Sequence, residues 1–313
     1  MNMHKILIIG RNFHPDGKET ATEIYNGLAN LKSSPVQYSV TYLKDLVFKI
    51  TNKEILIRDS KNNIDLSDYD AVLMTNWFSH ASIRKDMAYT LSLYFQNQGI
   101  TVFNSEALYS RSTSKLSQMM IAALNGVAIP DTFFSLSFDA LLQAVNQSSD
   151  FSYPLIFKDA QASRGNSNYL IRDESDAVTL KKDHTEKHPF LVQSFIESDG
   201  SDYRFFVTNA KSRFVIHRIG SGQSHLTNTS AGATTKVLAT KDFSQQVQND
   251  VELMSGLLHR EVTGLDIMID SSNQHYFLEA NPIPQIATGS NVTIKLKALE
   301  EGLIEAAKQR STQ

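Results

Sequence analysis

Two apolar runs of alternating pattern, separated by four small polar residues, constrain this chain more than any other segment. Gly264 to Asp270 carries Leu265, Ile267 and Ile269 at every second place. Ser271 to Gln274 follows, and His275 to Asn281 resumes the alternation. Period-two patterning around a Ser/Asn turn predicts an antiparallel hairpin. If the turn is those four residues, Asp270 pairs with His275, and counting back sets Asp266 opposite Glu279. Two carboxylates would then face each other, about 5 Å apart at Cβ, and such a like-charge pair is destabilising. A hard divalent cation would offset that repulsion. Asn281 shares a face with Glu279, while Leu265, Ile267, Ile269 and Leu278 are expected to point into a core. Donors that are all oxygen suit Mg²⁺ or Mn²⁺ rather than zinc. The plain alternative is a solvated open face. Pro282 and Pro284, neither able to donate a ladder hydrogen bond, end the strand abruptly and would hold Glu279 and Asn281 in place.

The rest of the chain reads as mixed α/β. Ile6 to Ile9 predicts a buried strand closing on Gly10, and Glu19 to Leu31 a helix. Asp70 to Thr75 and Thr101 to Phe103 predict strands around a helix from Arg84 to Asn97 that Gly99 stops. This first domain is expected over residues 1–105. A central lobe is expected over 106–190, with a helix from Ser114 to Leu124 and strands at Thr132 to Leu136 and Tyr153 to Lys158. A C-terminal lobe over 191–313 is expected to hold the strands Leu191 to Phe195, Tyr203 to Thr208, Phe214 to Ile219 and the hairpin. Helices near Phe243 to Leu258 and Thr293 to Lys308 are expected to complete that lobe.

Composition excludes several classes. In 313 residues there is no cysteine, so thiol catalysis, thiolate metal sites and disulfides are ruled out, and the cytosol is the natural compartment. A formal net charge of −3 gives none of the basic excess that nucleic-acid phosphates demand. The apolar run Ile6 to Ile9 is too short for a signal segment or a span, so no membrane partner is expected. The chain has no Gly-x-x-x-x-Gly-Lys-Ser/Thr loop, no Gly-x-Gly-x-x-Gly after its first strand, no His-Glu-x-x-His and no Gly-x-Ser-x-Gly. Its nine histidines are scattered. His14, in the loop after the first strand, is the one that lies where ligands commonly bind in open α/β sheets.

Lys158 closes the apolar strand Pro154 to Phe157 ahead of a loop of small and polar residues, Asp159 to Ser167. A cation there suits phosphate binding, although a strand-end lysine alone is more often a snorkelling one. Lys115 opens a helix, Gln193, Phe195 and Ile196 end a strand, and Arg204 and Arg218 lie on successive strands. Each by itself reads as a structural or surface residue.

Taken in order along about residues 100–290, these residues resemble the ATP-grasp superfamily, in particular the branch of the ribosomal-protein glutamate ligases and related amino-acid ligases. Arg111, Lys115 and the run Gly126 to Thr132 match its Arg-rich approach, lysine and Gly-x-x-x-Pro-x-Thr strand. Tyr153 to Lys158 matches its second lysine strand, Gln193 to Ile196 its hinge, and Asp202-Tyr203-Arg204 its Asp-x-Arg. Arg218, Asn228 and Gly232 follow, and Asp266 with Glu279-Ala280-Asn281 completes the pattern. The chain departs from that pattern in a loop with Gly165 as its one glycine, in Leu226 for an expected arginine, and in Gln285 where the family has glycine.

The resemblance implies an ATP-grasp fold, with an N-terminal Rossmann-like domain followed by two α+β lobes clamping ATP. It implies nucleotide contacts from Lys115, Lys158, Gln193, Phe195, Ile196, Asp202 and Asn228. Arg204 and Arg218 would serve the acyl phosphate, and Asp266, Glu279 and Asn281 the metal. The expected reaction is ATP-dependent formation of an amide between a carboxylate and an amine of an amino acid or peptide, and the resemblance also implies a homodimer. Side-chain modification of a ribosomally made peptide, and ATP binding without turnover, are the alternative readings.

Overall fold

The computed structural model describes residues 3–11, 20–31, 36–75, 82–109, 114–149, 151–160, 168–183, 189–220 and 234–310. The N-terminal unit contains β1 (His4–Gly10), α1 (Thr20–Leu31), β2 (Val36–Tyr42), β3 (Leu46–Ile50), β4 (Ile55–Asp59), β5 (Ile64–Asp65), β6 (Ala71–Met74), α2 (Ser82–Asn97) and β7 (Thr101–Phe103). β2, β1, β6 and β7 form, in that order, a parallel sheet. A parallel sheet covered on both faces needs apolar side chains at successive positions, which is why β1 reads as an unbroken run. Ile6 and Ile8 pack toward α1, while Leu7 and Ile9 pack toward α2. The antiparallel meander β3-β4-β5, inserted after β2, was not foreseen from the sequence.

The central sheet is built from β8 (Thr132–Ser135), β9 (Leu155–Asp159), β10 (Asn168–Ile171) and β11 (Phe190–Ser194), ordered β10-β9-β11-β8. α4 (Phe138–Gln147) and α5 (Glu174–Asp183) cover one face, packing Leu141, Val145, Ala177 and Leu180 on Leu155, Phe157, Phe190 and Val192. β11 hydrogen-bonds between β8 and β9. That strand therefore belongs to the central lobe, where the sequence reading had assigned it to the C-terminal one.

The C-terminal sheet runs β14-β13-β12-β15-β16, all antiparallel, from β12 (Ser201–Thr208), β13 (Lys211–Ile219), β14 (Thr234–Leu238), β15 (Val262–Ile269) and β16 (His275–Pro282). Behind it lie α3 (Lys115–Leu124) and α6 (Gln245–Leu257), whose Met119, Ala122, Val251 and Met254 join Phe205, Leu265, Ile267 and Phe277 in one core. Two helices are thus placed differently from expectation. α3, expected in the central lobe, packs on the C-terminal sheet. α7 (Val292–Arg310), expected to complete the C-terminal lobe, packs on that lobe and on the first domain together: Leu296, Leu299, Leu303 and Ala307 share one core with Ile6, Ile8, Ile24 and Leu28 and with Phe206, Phe214 and Ile216. Arg213 holds α7 to β13 through Glu305, at 3.1 and 2.7 Å. Among the described residues no helix is long and apolar enough to cross a membrane.

The hairpin differs in detail from the simple count. Ile269, not Asp270, pairs with His275, because the Asp270 carboxylate closes a five-residue loop by accepting from Ser272 N–H, Ser272 Oγ and Gln274 N–H. A bulge between Asp266 and Ile267 then restores the Asp266–Glu279 pairing. The extra residue is Leu278, which is only half-buried, and Phe277 and Ala280 enter the core in its place. A bulge sets two residues against one and reverses the facing beyond it.

Candidate active site

The front face of the C-terminal sheet carries a row of ionic side chains set by strand register. Asp202 pairs with Arg218, Arg204 with Asp266, and Asp266 with Glu279. The same alternation that turns Phe205, Leu265 and Ile267 back toward α3 and α6 turns these residues forward. Arg204 donates to both Asp266 oxygens at 2.7 Å. Arg218 grips Asp202 at 2.5 and 2.6 Å and reaches Asp266 Oδ2 at 3.2 Å. Asp202, Arg218 and Asp266 are each only 4% exposed. Burial pushes the Asp266 carboxyl up, but Arg204 and Arg218 overcome it and hold the group below its ordinary range. Burial likewise works against the Arg218 charge, and Asp266 and Asp202 reverse that, raising it above the usual arginine range.

Asn281 joins the carboxylates, its Nδ2 lying 2.8 Å from Glu279 Oε1 and 3.4 Å from Asp266 Oδ2. Two carboxylates and one amide converge here, with no third His, Cys, Asp or Glu grouped with them among the described residues. That donor set fits Mg²⁺, which takes one or two carboxylates and fills its remaining positions with substrate phosphate and water.

Lys158 lies on the cleft face of β9, because its neighbours Leu155 and Phe157 face the α4/α5 core. Burial pulls its ammonium down to about 8; Glu279 opposes this, Lys115 reinforces it, and Asp266 and Asp202 also oppose it. These influences put Lys158 within electrostatic reach of Lys115 and of the carboxylates of the other lobe. Lys115 is the first residue of α3, whose N-cap Ser114 accepts from Ser117 N–H at 3.2 Å, and its Nζ donates to the Asp159 carbonyl at 3.3 Å. Lys158 Nζ has no hydrogen-bond or ion-pair partner among the described residues.

In the linker between the lobes, Gln193 Nε2 donates to Thr132 Oγ1 at 3.0 Å and approaches Met119 Sδ at 3.3 Å, and the residue is 2% exposed. Phe195 is exposed and Ile196 half-buried just beyond β11. Arg111, Asn228, Gly232, Leu226, Gly165 and His14 lie outside the described residues.

Several residues around the site were missed in the sequence. Gln118 Oε1 accepts from Ala280 N–H at 2.7 Å, and Arg260 donates to the Ala280 carbonyl and, at 3.0 Å, to Glu106. Both fix β16 between the two expected metal ligands. Gly264 allows a close approach: a Cβ there would sit 2.6 Å from Pro284 Cβ and 3.0 Å from Arg204 Cδ. Gln285, where the family pattern has glycine, adopts a left-handed φ of +47.

The RimK-like ATP-grasp domain family matches residues 112–305. The chain is 24% identical over 253 residues to the alpha-aminoadipate–LysW ligase LysX of Sulfurisphaera tokodaii, covering 78% of this chain and 80% of that protein. It is 21% identical over 249 residues to beta-citrylglutamate synthase B of Danio rerio, covering 79% and 60%. Among solved structures, the ATP-grasp ligase PsnB, complexed with a phosphomimetic variant of its minimal precursor, Mg and ADP, superposes with a TM-score of 0.69. That match has 15% identity and covers 98% of this chain and 100% of that one.

Proposed function

The chain belongs to the RimK-like ATP-grasp family, and from that premise we propose how this ATP-dependent ligase joins a carboxylate to an amine. A carboxylate is a poor electrophile at neutral pH, so its oxygen must first become part of a leaving group. The substrate carboxylate attacks the γ-phosphorus of ATP and ADP departs, leaving an acyl phosphate. The amine then attacks the acyl carbon, phosphate leaves, and the amine gives up a proton. Such phosphoryl chemistry needs positioning and charge neutralisation more than a side-chain nucleophile.

One observation carries this reading: Lys158 is turned away from the α4/α5 core, and its ammonium feels the charges of Glu279 and Asp266 from the other lobe. Lys115 and Lys158 would hold the phosphates from the central lobe. Arg218 and Arg204, already locked on Asp202 and Asp266, would present their remaining N–H groups to the acyl phosphate. Asp266, Glu279 and Asn281 would hold Mg²⁺, which supplies Lewis-acid charge to the phosphate oxygens when bound. Phe195 and Ile196, and Asn228 from the segment between β13 and β14, would complete the nucleotide contacts.

The acceptor is an amino acid or a peptide. One relative is named for ligating alpha-aminoadipate to LysW, and a ligase of like fold was solved with its precursor, so both classes belong in the test. ADP release is measured with Mg²⁺ and ATP across pools of amino acids and short peptides, for the parent and for Glu279→Ala. Stimulation by one pool, abolished in the variant, is expected. A folded chain that binds no ATP would sink the reading.

A further inference from the structure

Lys295 stands on the apolar face of α7 beside Leu296 and Leu299, yet it is a lysine only 3% exposed. Its Nζ donates to the carbonyls of Gln285 at 2.6 Å and Thr288 at 2.7 Å. No carboxylate pairs with it among the described residues. Burial, and after it the positive charge of Arg204, pull the ammonium down to about 8. A buried cation that neutral acceptors alone satisfy is costly to keep.

The segment it grips leaves β16 directly after Glu279 and Asn281. Ile283, Gln285, Gly289 and Asn291 all have φ between +47° and +72°. Left-handed conformations at non-glycine residues persist only where surrounding contacts enforce them, most of all at a β-branched isoleucine. Pro284, inside this segment, is buried over Gly264, the place where Arg204 Cδ also passes on its way to Asp266. Pro284 and Arg204 thus share the space over Gly264, each within 3.0 Å of the point a Cβ there would take, and Lys295 is joined to Pro284 through the main chain of 285–288.

We propose that Lys295 is a positioning residue for phosphoryl transfer: by clamping the Gln285 and Thr288 carbonyls it keeps Pro284 in the space it shares with Arg204 and so holds the guanidinium aligned on Asp266. The inference rests on the site reading above. It predicts a defect in the chemical step and not in nucleotide capture, since Lys115 and Lys158 belong to other elements.

ADP release from Mg-ATP is measured on the full chain with the stimulating pool, or as basal hydrolysis where no pool stimulates. Lys295→Met is expected to keep its circular dichroism and an ATP KM within about twofold, while kcat falls on the order of tenfold or more, as small misplacements of catalytic groups do. Combined with Arg204→Lys, it is expected to add nothing beyond the larger single effect, because the two act in series. An unchanged kcat, a raised KM alone, or losses that multiply in the double variant overturn the proposal. If Lys295→Met does not fold, Pro284→Ala loosens the same packing without stranding the cation and carries the same expectations. Glu279→Ala is the separate control: if it keeps the parent rate, the site reading itself falls.

Discussion

Two buried ionic clusters sit along β15, one at its start and one at its middle, and they are closed in different ways. At the start of the strand, Arg260 ends on the Ala280 carbonyl and on Glu106, Glu261 accepts from Ser105 N–H at 2.7 Å, and Asn104 Oδ1 accepts from Val262 N–H at 3.0 Å. Main chain answers side chain there, and the linker after β7 is fastened to the C-terminal sheet. Four residues further on, Asp266 is answered by side chains alone, two arginines and an asparagine. Lys158 of the central lobe feels the charges of Glu279 and Asp266. A cluster closed on the backbone is architecture. One closed by side chains from two lobes suits a charged ligand, since buried ion pairs by themselves add little stability.

The comparison can be broken at four points. The largest effect is expected from Arg260→Ala, which removes the guanidinium from Glu106 and from the Ala280 carbonyl in the closed cluster. Removing one partner of a buried pair costs about 3–5 kcal/mol, read as a large fall in the denaturation midpoint. Next comes Arg204→Ala, expected to lower kcat by about 10²-fold, roughly 2.7 kcal/mol, as losing one oxyanion donor does, with a much smaller change in midpoint. If the midpoint fell as far as for Arg260→Ala, the distinction between the clusters would be wrong. Gly264→Ala drives a methyl into Pro284 and against Arg204, so a loss of about 1–3 kcal/mol in stability is expected, together with reduced turnover.

The smallest effect tests the closed cluster by pH. Burial pushes the Glu261 carboxyl up to about 7, against the Ser105 hydrogen bonds that lower it. A carboxyl whose folded pKa is raised binds more protons folded than unfolded, so its contribution to stability falls as pH rises from its ordinary value of about 4.5 toward 7. Glu261→Gln is therefore expected to flatten that slope and to stabilise the protein by about 1 kcal/mol at pH 8, measured by denaturant titration at pH 5 and pH 8. Asp266, held below its ordinary range, adds no such fall in stability over that window.

Much of the site was legible because its residues lie on strands, where a period of two fixes facing. Asp266 opposite Glu279 followed from a count, although the count survived only because a longer turn and a bulge offset each other. A loop closed by the Asp270 carboxylate is local chemistry, but the four polar residues after it gave no sign of which would pair. Lys295 was legible in principle: it falls on the same helical face as Leu299, Gly302 and Ala306, and a cation on an apolar stripe is a signal. The role of Gln193 was not, since the same alternating strand could present that amide to a ligand or, as it does, to Thr132 and Met119.

The sequence by itself determined the strand and helix types, the shared face of Asp266, Glu279 and Asn281, and the oxygen-only character of that donor set. Each depends on patterns a few residues long, where turn chemistry and side-chain periodicity act directly on the backbone. Tertiary structure alone decided that β11 joins the central sheet, that α3 backs the C-terminal one, that α7 packs on the first domain as well as on its own lobe, and that Lys158 comes within electrostatic reach of Glu279 across two lobes. An apolar stripe states that a face must be buried but not against what, because the hydrophobic effect has no direction. The partner surface is fixed only when all the elements compete for it at once.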